Sequence, residues 1–315
     1  SNTSIASLVQ SMKFPSIEQF GFSQSLVKMA LQCDRQLLFN LNKFDKPGKE
    51  ENFFYGNLCH EVLDMVYTDF TEPPTADQLE SLYDSYIDRL DEDDQLVWCK
   101  EQKREYYKTI TLVVMGRYFE YYKDDFKFEF EEVEGQFDVS WNDFRLIGKR
   151  DGLFRSNKRR LLFEHKTKST IYEATIVQML EFDFQNLYYI ISNEIDTGTP
   201  VDGVLYNIIR KPQSKVGKNE TLKAFAERLG QVIDKDPEHY FKRYEVEYTA
   251  EQKKEFELEL FEKLTRIKQL IDGERKPLKN EGFCFAGYPC DYLKACSQGH
   301  MEGYTQRKHI SPELA

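Results

Sequence analysis

The chain has 315 residues and a formal net charge of −11, with 40% hydrophobic and 14% aromatic residues. This length suits one large domain or two modest ones, and the apolar content is enough for a substantial core. No apolar run reaches the ~18 residues of a membrane span, and the acidic balance argues against a surface that is basic throughout. The polar start lacks a signal-peptide pattern, so we expect an intracellular, cytoplasmic protein.

The N-terminal part of the sequence reads as helical. The first predicted helix carries Cys33 on its apolar face, and the second carries His60. An acidic stretch containing two adjacent prolines follows, and we interpret it as a helical insertion with exposed loops. The helical segments are residues 16–42, a helix from near residue 52, residues 68–95 and residues 96–124.

The periodicity then changes to that of strands, with apolar residues alternating in places from about residue 126. Turn residues at positions 142–143 and 156–157 divide this region, which predicts a three-stranded meander. A helix, a further strand and a polar, mixed segment follow. In order, the predicted elements are strands 126–141, 144–154 and 161–166, helix 172–193, strand 201–209 and the mixed segment 213–243.

The C-terminal part begins with a possible short strand at residues 245–248. Thr249 and Gln252 form a capping-box pattern, which predicts the start of a helix that Gly273 and Pro277 end. The tail from Glu281 is a loop region with aromatic residues and cysteines.

The second and third predicted strands carry the residues that point to chemistry. Asp151 ends one apolar strand, and Glu164 and Lys166 lie two apart on the next. Because side chains alternate along a strand, Glu164 and Lys166 share a face and His165 points the other way. A hairpin would bring Asp151 close to Glu164. The simpler interpretation is a solvated strand edge with an ion pair.

Two further patterns accompany this group. A G-x-x-x-H-E pattern runs from Gly56 to Glu61 upstream, and a Q-x-x-x-Y pattern joins Gln185 to Tyr189 downstream. In this order, the motifs resemble the PD-(D/E)XK nuclease superfamily, and most closely its RecB-like branch. The resemblance covers roughly residues 20–300. It implies an α/β fold with a restriction-endonuclease-like core, in which helices flank a central mixed sheet.

The resemblance also implies how the chain divides and which residues act. The expected divisions are an N-terminal helical region, residues 1–125, the nuclease core, residues 126–215, and a helical, cysteine-containing segment, residues 216–315, that packs back on the N-terminus. The implied catalytic residues are Asp151, Glu164, Lys166, Gln185 and Tyr189.

A divalent cation, Mg²⁺ or Mn²⁺, is the implied cofactor, since carboxylate and carbonyl oxygens suit the first and an imidazole ligand also suits the second. For His60, the alternative is a helix histidine that pairs with Glu61 or the backbone. For Tyr189, it is one half of a partly buried amphipathic pair. The implied ligands are His60, Asp151, Glu164 and the backbone carbonyl of His165.

The resemblance implies a DNase, acting as an exonuclease on DNA ends or single strands. The alternative is a non-catalytic or partner-dependent DNA-binding subunit of a recombination, repair or CRISPR-adaptation complex. A helicase, recombinase or integrase partner, and a phage origin, are further expectations. Basic residues flank the acidic pair; the run 158–160 favours a hairpin turn, whereas the candidates for contacting DNA are Lys149, Arg150, Lys168, Arg210 and Lys211.

Nucleases of this branch can carry one cysteine upstream of the core and three near the C-terminus, which bind a 4Fe–4S cluster. Four thiolates are the ligand count that such a cluster needs. The spacing Cys284-x5-Cys290 departs from the usual x2, and a zinc site or buried free thiols remain alternatives. We interpret Cys59 and Cys99 as core residues. The implied cluster ligands are Cys33, Cys284, Cys290 and Cys296.

Overall fold

A five-stranded mixed sheet lies at the centre of the protein in the computed structural model, which describes residues 5–311. Two further strands pair near the chain ends. In chain order the strands are β1 Phe44–Asp45, β2 Glu129–Trp141, β3 Phe144–Ser156, β4 Arg159–Lys168, β5 Gly203–Arg210, β6 Phe241–Val246 and β7 Thr305–Gln306.

The central sheet has the order β2-β3-β4-β5-β6. The first three strands form an antiparallel meander, which confirms the prediction. β5 then runs parallel to β4 after a helical crossover, and β6 pairs antiparallel with β5. The carboxyl ends of β4 and β5 therefore open at the same edge of the sheet.

Helices cover both faces of this sheet. Two short 3-10 helices, Ile17–Gln19 and Lys123–Lys127, accompany them. The α-helices are α1 Ile5–Ser11, α2 Gln24–Gln32, α3 Asp34–Leu41, α4 Glu50–Asp69, α5 Ala76–Glu92, α6 Glu101–Tyr121, α7 Glu173–Glu181, α8 Phe184–Thr197, α9 Leu222–Lys235, α10 Pro237–Tyr240, α11 Ala250–Ile271, α12 Glu281–Cys284 and α13 Leu293–Gln298.

Two hydrophobic cores result, one on each side of the sheet. On one side, α2, α8 and α11 bury their apolar faces with Leu162 and Val204. On the other side, α4, α6 and α9 pack with Phe163 and Ile209. Because side chains alternate along β4, consecutive residues of this strand, such as Leu162 and Phe163, belong to different cores. Within residues 5–311, no helix is long and apolar enough to cross a bilayer.

The prediction of one helix over residues 16–42 is wrong. The chain is extended at Cys33, which separates α2 from α3. The C-terminal segment binds this break: the N–H of Leu278 donates to the carboxylate of Asp34 at 3.1 Å, and its carbonyl accepts from Arg35. The Leu278 carbonyl thereby pairs the N–H of Arg35, which a continuous helix would have paired internally.

Two other predicted segments also differ. The helix expected over residues 172–193 divides after α7, because the Asp183 carboxylate accepts from the N–H of Asn186 at 2.8 Å and caps α8. The mixed segment contains α9, whose Phe225, Leu229 and Ile233 are fully buried. Their spacing of four residues is a helical signal in the sequence. The capping box at Thr249 is confirmed.

The two ends of the described chain lie against each other. β1 pairs antiparallel with β7, and the Tyr292 hydroxyl donates to the carbonyl of Phe44 at 2.6 Å. The Tyr292 ring also packs on Phe39, with ring centroids 5.3 Å apart. The C-terminal segment is therefore anchored on the N-terminal one, while the predicted division into three regions stays a prediction.

Helix α4 crosses very close to β4. A Cβ added at Gly56 would lie 2.8 Å from the hydroxyl oxygen of Thr167. Glycine inside a helix lowers stability by about 1 kcal/mol relative to alanine. The close approach of α4 to β4 explains why a glycine nevertheless stands at position 56. The contact brings His60, one turn further along α4, to the middle of the sheet.

The close approach predicts the sign of a stability change. Gly56→Ala should lower the free energy of unfolding, although alanine is the better helix former, because its methyl group meets Thr167. Gly116→Ala in α6 is the matched control: its Cβ would find only Leu79 Cδ2 at 3.9 Å, so it should gain up to about 1 kcal/mol. Urea denaturation measures both, and an equal gain at both sites would contradict the close approach.

Candidate active site

The acidic pair lies where β3 and β4 separate. Their ladder ends at the pair Gly152 and Phe163, and the next step of the same register sets Asp151 opposite Glu164. Instead of a further ladder bond, the N–H of His165 donates to the carboxylate of Asp151 at 2.7 Å. This bond pairs a backbone donor that strand separation would leave without a partner, and it fixes the Asp151 side chain beside β4.

His60 reaches the same point from α4. Its Nδ1 lies 3.4 Å from Oδ1 of Asp151. Burial opposes protonation of His60, but Asp151 and Glu164 outweigh it and raise the pKa of the imidazole. Burial by itself would raise the pKa of Asp151, yet His60 and the His165 N–H act more strongly, so this pKa is lowered. The structure thus brings the three predicted ligand residues His60, Asp151 and Glu164 together.

Glu164 and Lys166 share a face of β4, as the alternation predicts. Glu164 is 4% exposed, and its Oε1 lies 2.9 Å from Nζ of Lys166. Burial, and then the charge of Asp151, raise the pKa of Glu164 to about 7 despite the lysine. Burial opposes the charge on Lys166, but Glu164 outweighs it and raises the pKa of the ammonium. The lysine therefore stays charged beside the buried carboxyl group of Glu164 and the partly buried one of Asp151.

The predicted glutamine and tyrosine pair also contacts this group. Lys166 donates to Oε1 of Gln185 at 2.6 Å, and the Gln185 amide nitrogen donates to the Tyr189 hydroxyl at 3.4 Å. Tyr189 is 6% exposed. The pair therefore holds the lysine in place, and Tyr189 is too buried to contact DNA directly.

A buried polar network lies on the face of β4 opposite Glu164 and Lys166, next to His60, whose ring centroid is 5.9 Å from that of His165. The His165 ring is buried, and its Nδ1 lies 3.0 Å from the amide nitrogen of Asn207. Arg243 donates to Asn207 at 3.0 Å and to Asp125 at 2.7 Å. Burial lowers the pKa of His165 to about 3, so the ring is neutral. The network holds the residue whose backbone N–H binds Asp151.

A second acidic group adjoins the site and was missed in the sequence. One carboxylate oxygen each from Glu61, Asp64 and Glu134 lie within 4.8 Å of one another. Burial, and then the charges of Asp151 and Glu61, raise the pKa of Asp64 to about 8. Asp64 lies one helical turn beyond His60 on α4, so the sequence does indicate that the two share a helix face. No pattern in the sequence places Glu134, on β2, near them.

The predicted DNA-binding residues differ in their placement. Arg150 is a correction: its side chain is 2% exposed, with its guanidinium over the Phe137 ring and 3.0 Å from a carboxylate oxygen of Glu132. A buried, paired arginine does not suit a contact with DNA, and nothing in the local sequence showed this pairing across strands. Lys149 is ion-paired with Glu134 of the second acidic group.

The other three lie at the carboxyl ends of β4 and β5. Lys168 is partly buried, and burial lowers the pKa of its ammonium. Arg210 donates to the carbonyls of Ser169 and His239 at 3.1 and 2.8 Å. Lys211 lies over the rings of Tyr55 and Tyr107. Positive charge is thus concentrated at the sheet edge next to Lys166, although it is largely held by local contacts.

The four predicted cluster cysteines lie at the junction of the chain ends. Burial raises the pKa of Cys290, and the nearby thiols of Cys33 and Cys284 add to the shift. Burial likewise raises the pKa of Cys296, again with a contribution from Cys33. The N–H of Cys290 donates to the carbonyl of Cys284 at 2.8 Å, so the x5 loop folds back on itself. Cys59 and Cys99 are buried, as expected.

A mixed five-stranded sheet flanked by helices, with two acids and a lysine where two strands separate, is a restriction-endonuclease-like fold. The chain matches the model of the PD-(D/E)XK nuclease superfamily over residues 21–297. It belongs to that superfamily, which supports nuclease function. The predicted fold class is therefore confirmed.

The fold is similar to that of a solved structure. A protein from Eubacterium rectale, described provisionally as an exonuclease, superposes with a TM-score of 0.51 at 12% identity, over 94% of this chain and 93% of that one. This likeness concerns the fold alone. A structure described as SSO0001 gives a TM-score of 0.28 at 14% identity, over 70% and 87% of the two chains, which supports no conclusion. A search of the curated proteins found no match.

The residues at the site fit a divalent cation, which nucleases of this superfamily typically use. The buried carboxyl group of Glu164 and the partly buried one of Asp151 lie opposite each other, and Asp64 adjoins them. Burial raises the pKa of both Glu164 and Asp64, and the negative charge of Asp151 adds to each shift. Oxygen ligands of this kind suit Mg²⁺, and an adjacent imidazole extends the choice to Mn²⁺.

The raised pKa of Glu164 predicts a pH-dependent stability. Its value in the folded protein, about 7, exceeds its ordinary value of 4.5. The folded state therefore keeps the proton longer, and the resulting stability is present below about pH 4 and lost as the pH rises through about 7. Without metal, Glu164→Gln should become more stable relative to the wild type between pH 5 and pH 8.

Urea denaturation in the presence of a chelator at both pH values measures this change. The same substitution at the exposed residue Glu129 is the matched control. If the difference between Glu164→Gln and the wild type were the same at pH 5 and pH 8, the account of this carboxyl group would be wrong.

Proposed function

We propose that this protein is a divalent-cation-dependent DNase that hydrolyses phosphodiester bonds. The observation that carries the proposal is the opposing pair Asp151 and Glu164 with Lys166 beside it, held where β3 and β4 separate, in a chain of this superfamily. Asp151, Glu164, the carbonyl of His165 and His60 would hold Mg²⁺ or Mn²⁺. A cation bound there would polarise the scissile phosphate and lower the pKa of a bound water.

The remaining residues have separate roles in this proposal. Lys166 is the catalytic cation: its ammonium would stabilise the negative charge that develops on the phosphate oxygens. Gln185 accepts a hydrogen bond from Lys166 and, with Tyr189 behind it, positions the ammonium. Glu164 must lose its proton to bind metal, so a pKa of about 7 favours metal binding at neutral to alkaline pH.

The finer points of the proposal concern the substrate and the cell. We propose exonuclease action on DNA ends or single strands, with Lys149, Lys168, Arg210 and Lys211 near the path of the strand. A helicase, recombinase or integrase partner and a cytoplasmic location stay predictions from the sequence.

Substitutions in the acidic pair and the lysine test the proposal. With Mn²⁺ or Mg²⁺, the wild type should release nucleotides from end-labelled DNA, and Asp151→Asn and Lys166→Met should each lose at least ~100-fold in rate. Asp196→Asn, at an exposed acid on α8, is the matched control and should keep wild-type activity. Full activity in Lys166→Met would show that the site assignment is wrong.

We also propose a 4Fe–4S cluster held by Cys33, Cys284, Cys290 and Cys296. Thiols from both chain ends lie close enough to influence one another's pKa, and the folded x5 loop brings Cys284 back toward Cys290. Four thiolates match the ligand requirement of the cluster. Its role would be to fasten the C-terminal segment to the break between α2 and α3.

Iron analysis of anaerobically purified protein tests this second proposal. The wild type should be brown with about four irons per chain, and Cys296→Ser should lose iron and colour. Cys99→Ser, at a buried cysteine outside the group, should retain both. Colourless, iron-free wild-type protein would contradict the cluster and leave the nuclease site unaffected.

A further inference from the structure

Helix α7 presents an apolar stripe to solvent. Tyr172, which precedes the helix, is 73% exposed, Met179 is 61% exposed, and Phe182, which follows it, is 83% exposed. At 3.6 residues per turn, these positions lie within about 80° of one another around the axis. Thr175 belongs to the same side, since its hydroxyl contacts the Met179 sulfur at 3.8 Å. We call these four residues the α7 stripe.

The α7 stripe is not part of either core. The helix already buries Ile176 and Leu180 on the neighbouring side, so its attachment to the protein does not depend on the stripe. Exposed aromatic and methionine side chains grouped on one helix face mark an interaction site more often than isolated apolar residues do. The grouping therefore calls for a binding partner.

The position of α7 indicates what that partner is. Tyr172 follows Lys168, the last residue of β4, after a short loop. At the other end, Phe182 is three residues before Gln185, which accepts a hydrogen bond from Lys166. Both ends of the α7 stripe are thus joined through short chain segments to residues at or beside the candidate active site.

We propose that the α7 stripe stacks against unpaired bases of a DNA strand whose phosphate lies at Lys166. This proposal rests on the proposed nuclease function and deepens it, because it makes single-stranded DNA, or a frayed end, the preferred substrate. Every base has an aromatic face on which Tyr172 and Phe182 can stack. In an intact duplex, neighbouring bases already cover those faces.

The groups around α7 carry charges of both signs: Glu181 at the helix end is exposed, and basic residues lie nearby. The stripe itself carries no charge, whereas Lys168 and Arg210 lie at the adjoining sheet edge, where phosphates would pass. Arg210 also donates to the carbonyl of Ser169 at 3.1 Å, which anchors the loop before α7. Glu173 at the helix start is paired with Lys242 at 2.9 Å, so its charge is compensated.

Cleavage of three substrates by the full chain tests the proposal: a single-stranded oligonucleotide, the same strand with abasic sites in place of its bases, and a blunt duplex. With Mn²⁺, the double variant Tyr172→Ala/Phe182→Ala should lose roughly tenfold or more in kcat/KM on the normal strand and be unchanged on the abasic strand. Phe182→Trp should keep wild-type activity. Val177→Ala, an exposed position of α7 outside the stripe, is the matched control.

Two results would overturn the proposal. An equal loss on all three substrates would mean that the stripe only supports the site, and no loss on any would mean that it serves another partner, such as a protein. If the wild type cleaves none of the substrates, the proposed nuclease function fails separately. Fluorescence anisotropy then tests the stripe alone: tighter binding of the normal than the abasic strand, lost in the double variant, supports it, and equal binding overturns it.

Discussion

The hydrogen bond from the His165 N–H to the Asp151 carboxylate is the interaction on which the site depends. β3 and β4 stop pairing at Gly152 and Phe163, and separation of two strands normally exposes unpaired backbone groups. Here the side chain of Asp151 takes the place of the missing ladder partner at 2.7 Å. The strands can therefore part while an acid stays fixed between them, opposite Glu164.

The two faces of β4 have different surroundings and different roles near this bond. On one face, Glu164, Lys166 and Gln185 form a partly open, charged group. On the other, the His165 ring is buried against Asn207 in a network of hydrogen bonds. Because buried polar networks that are well satisfied are rigid, the backbone of β4 is held from behind while its charged face stays accessible. Excess negative charge on that face makes it a place for a cation.

Local patterns in the sequence were sufficient for part of this. The alternation of side chains along a strand predicted that Glu164 and Lys166 share a face. The short hairpin predicted that Asp151 lies opposite Glu164. Contacts between distant segments could not be predicted from the sequence. The helix is interrupted at Cys33 because the C-terminal segment binds there. Arg150 is buried because Glu132 on the neighbouring strand pairs with it. The spacing of Asp64 from His60 on α4 does indicate that they share a face, whereas the contact of Glu134 with this group, from β2, is not visible in the sequence.

The most direct test of the central claim is the position of a bound Mn²⁺ ion, located by anomalous diffraction from crystals of the wild-type protein. The account predicts a peak bound by the carboxylates of Asp151 and Glu164, the carbonyl of His165 and the ring of His60. A peak held instead by the neighbouring group of Glu61, Asp64 and Glu134, or no peak at saturating Mn²⁺, would contradict it.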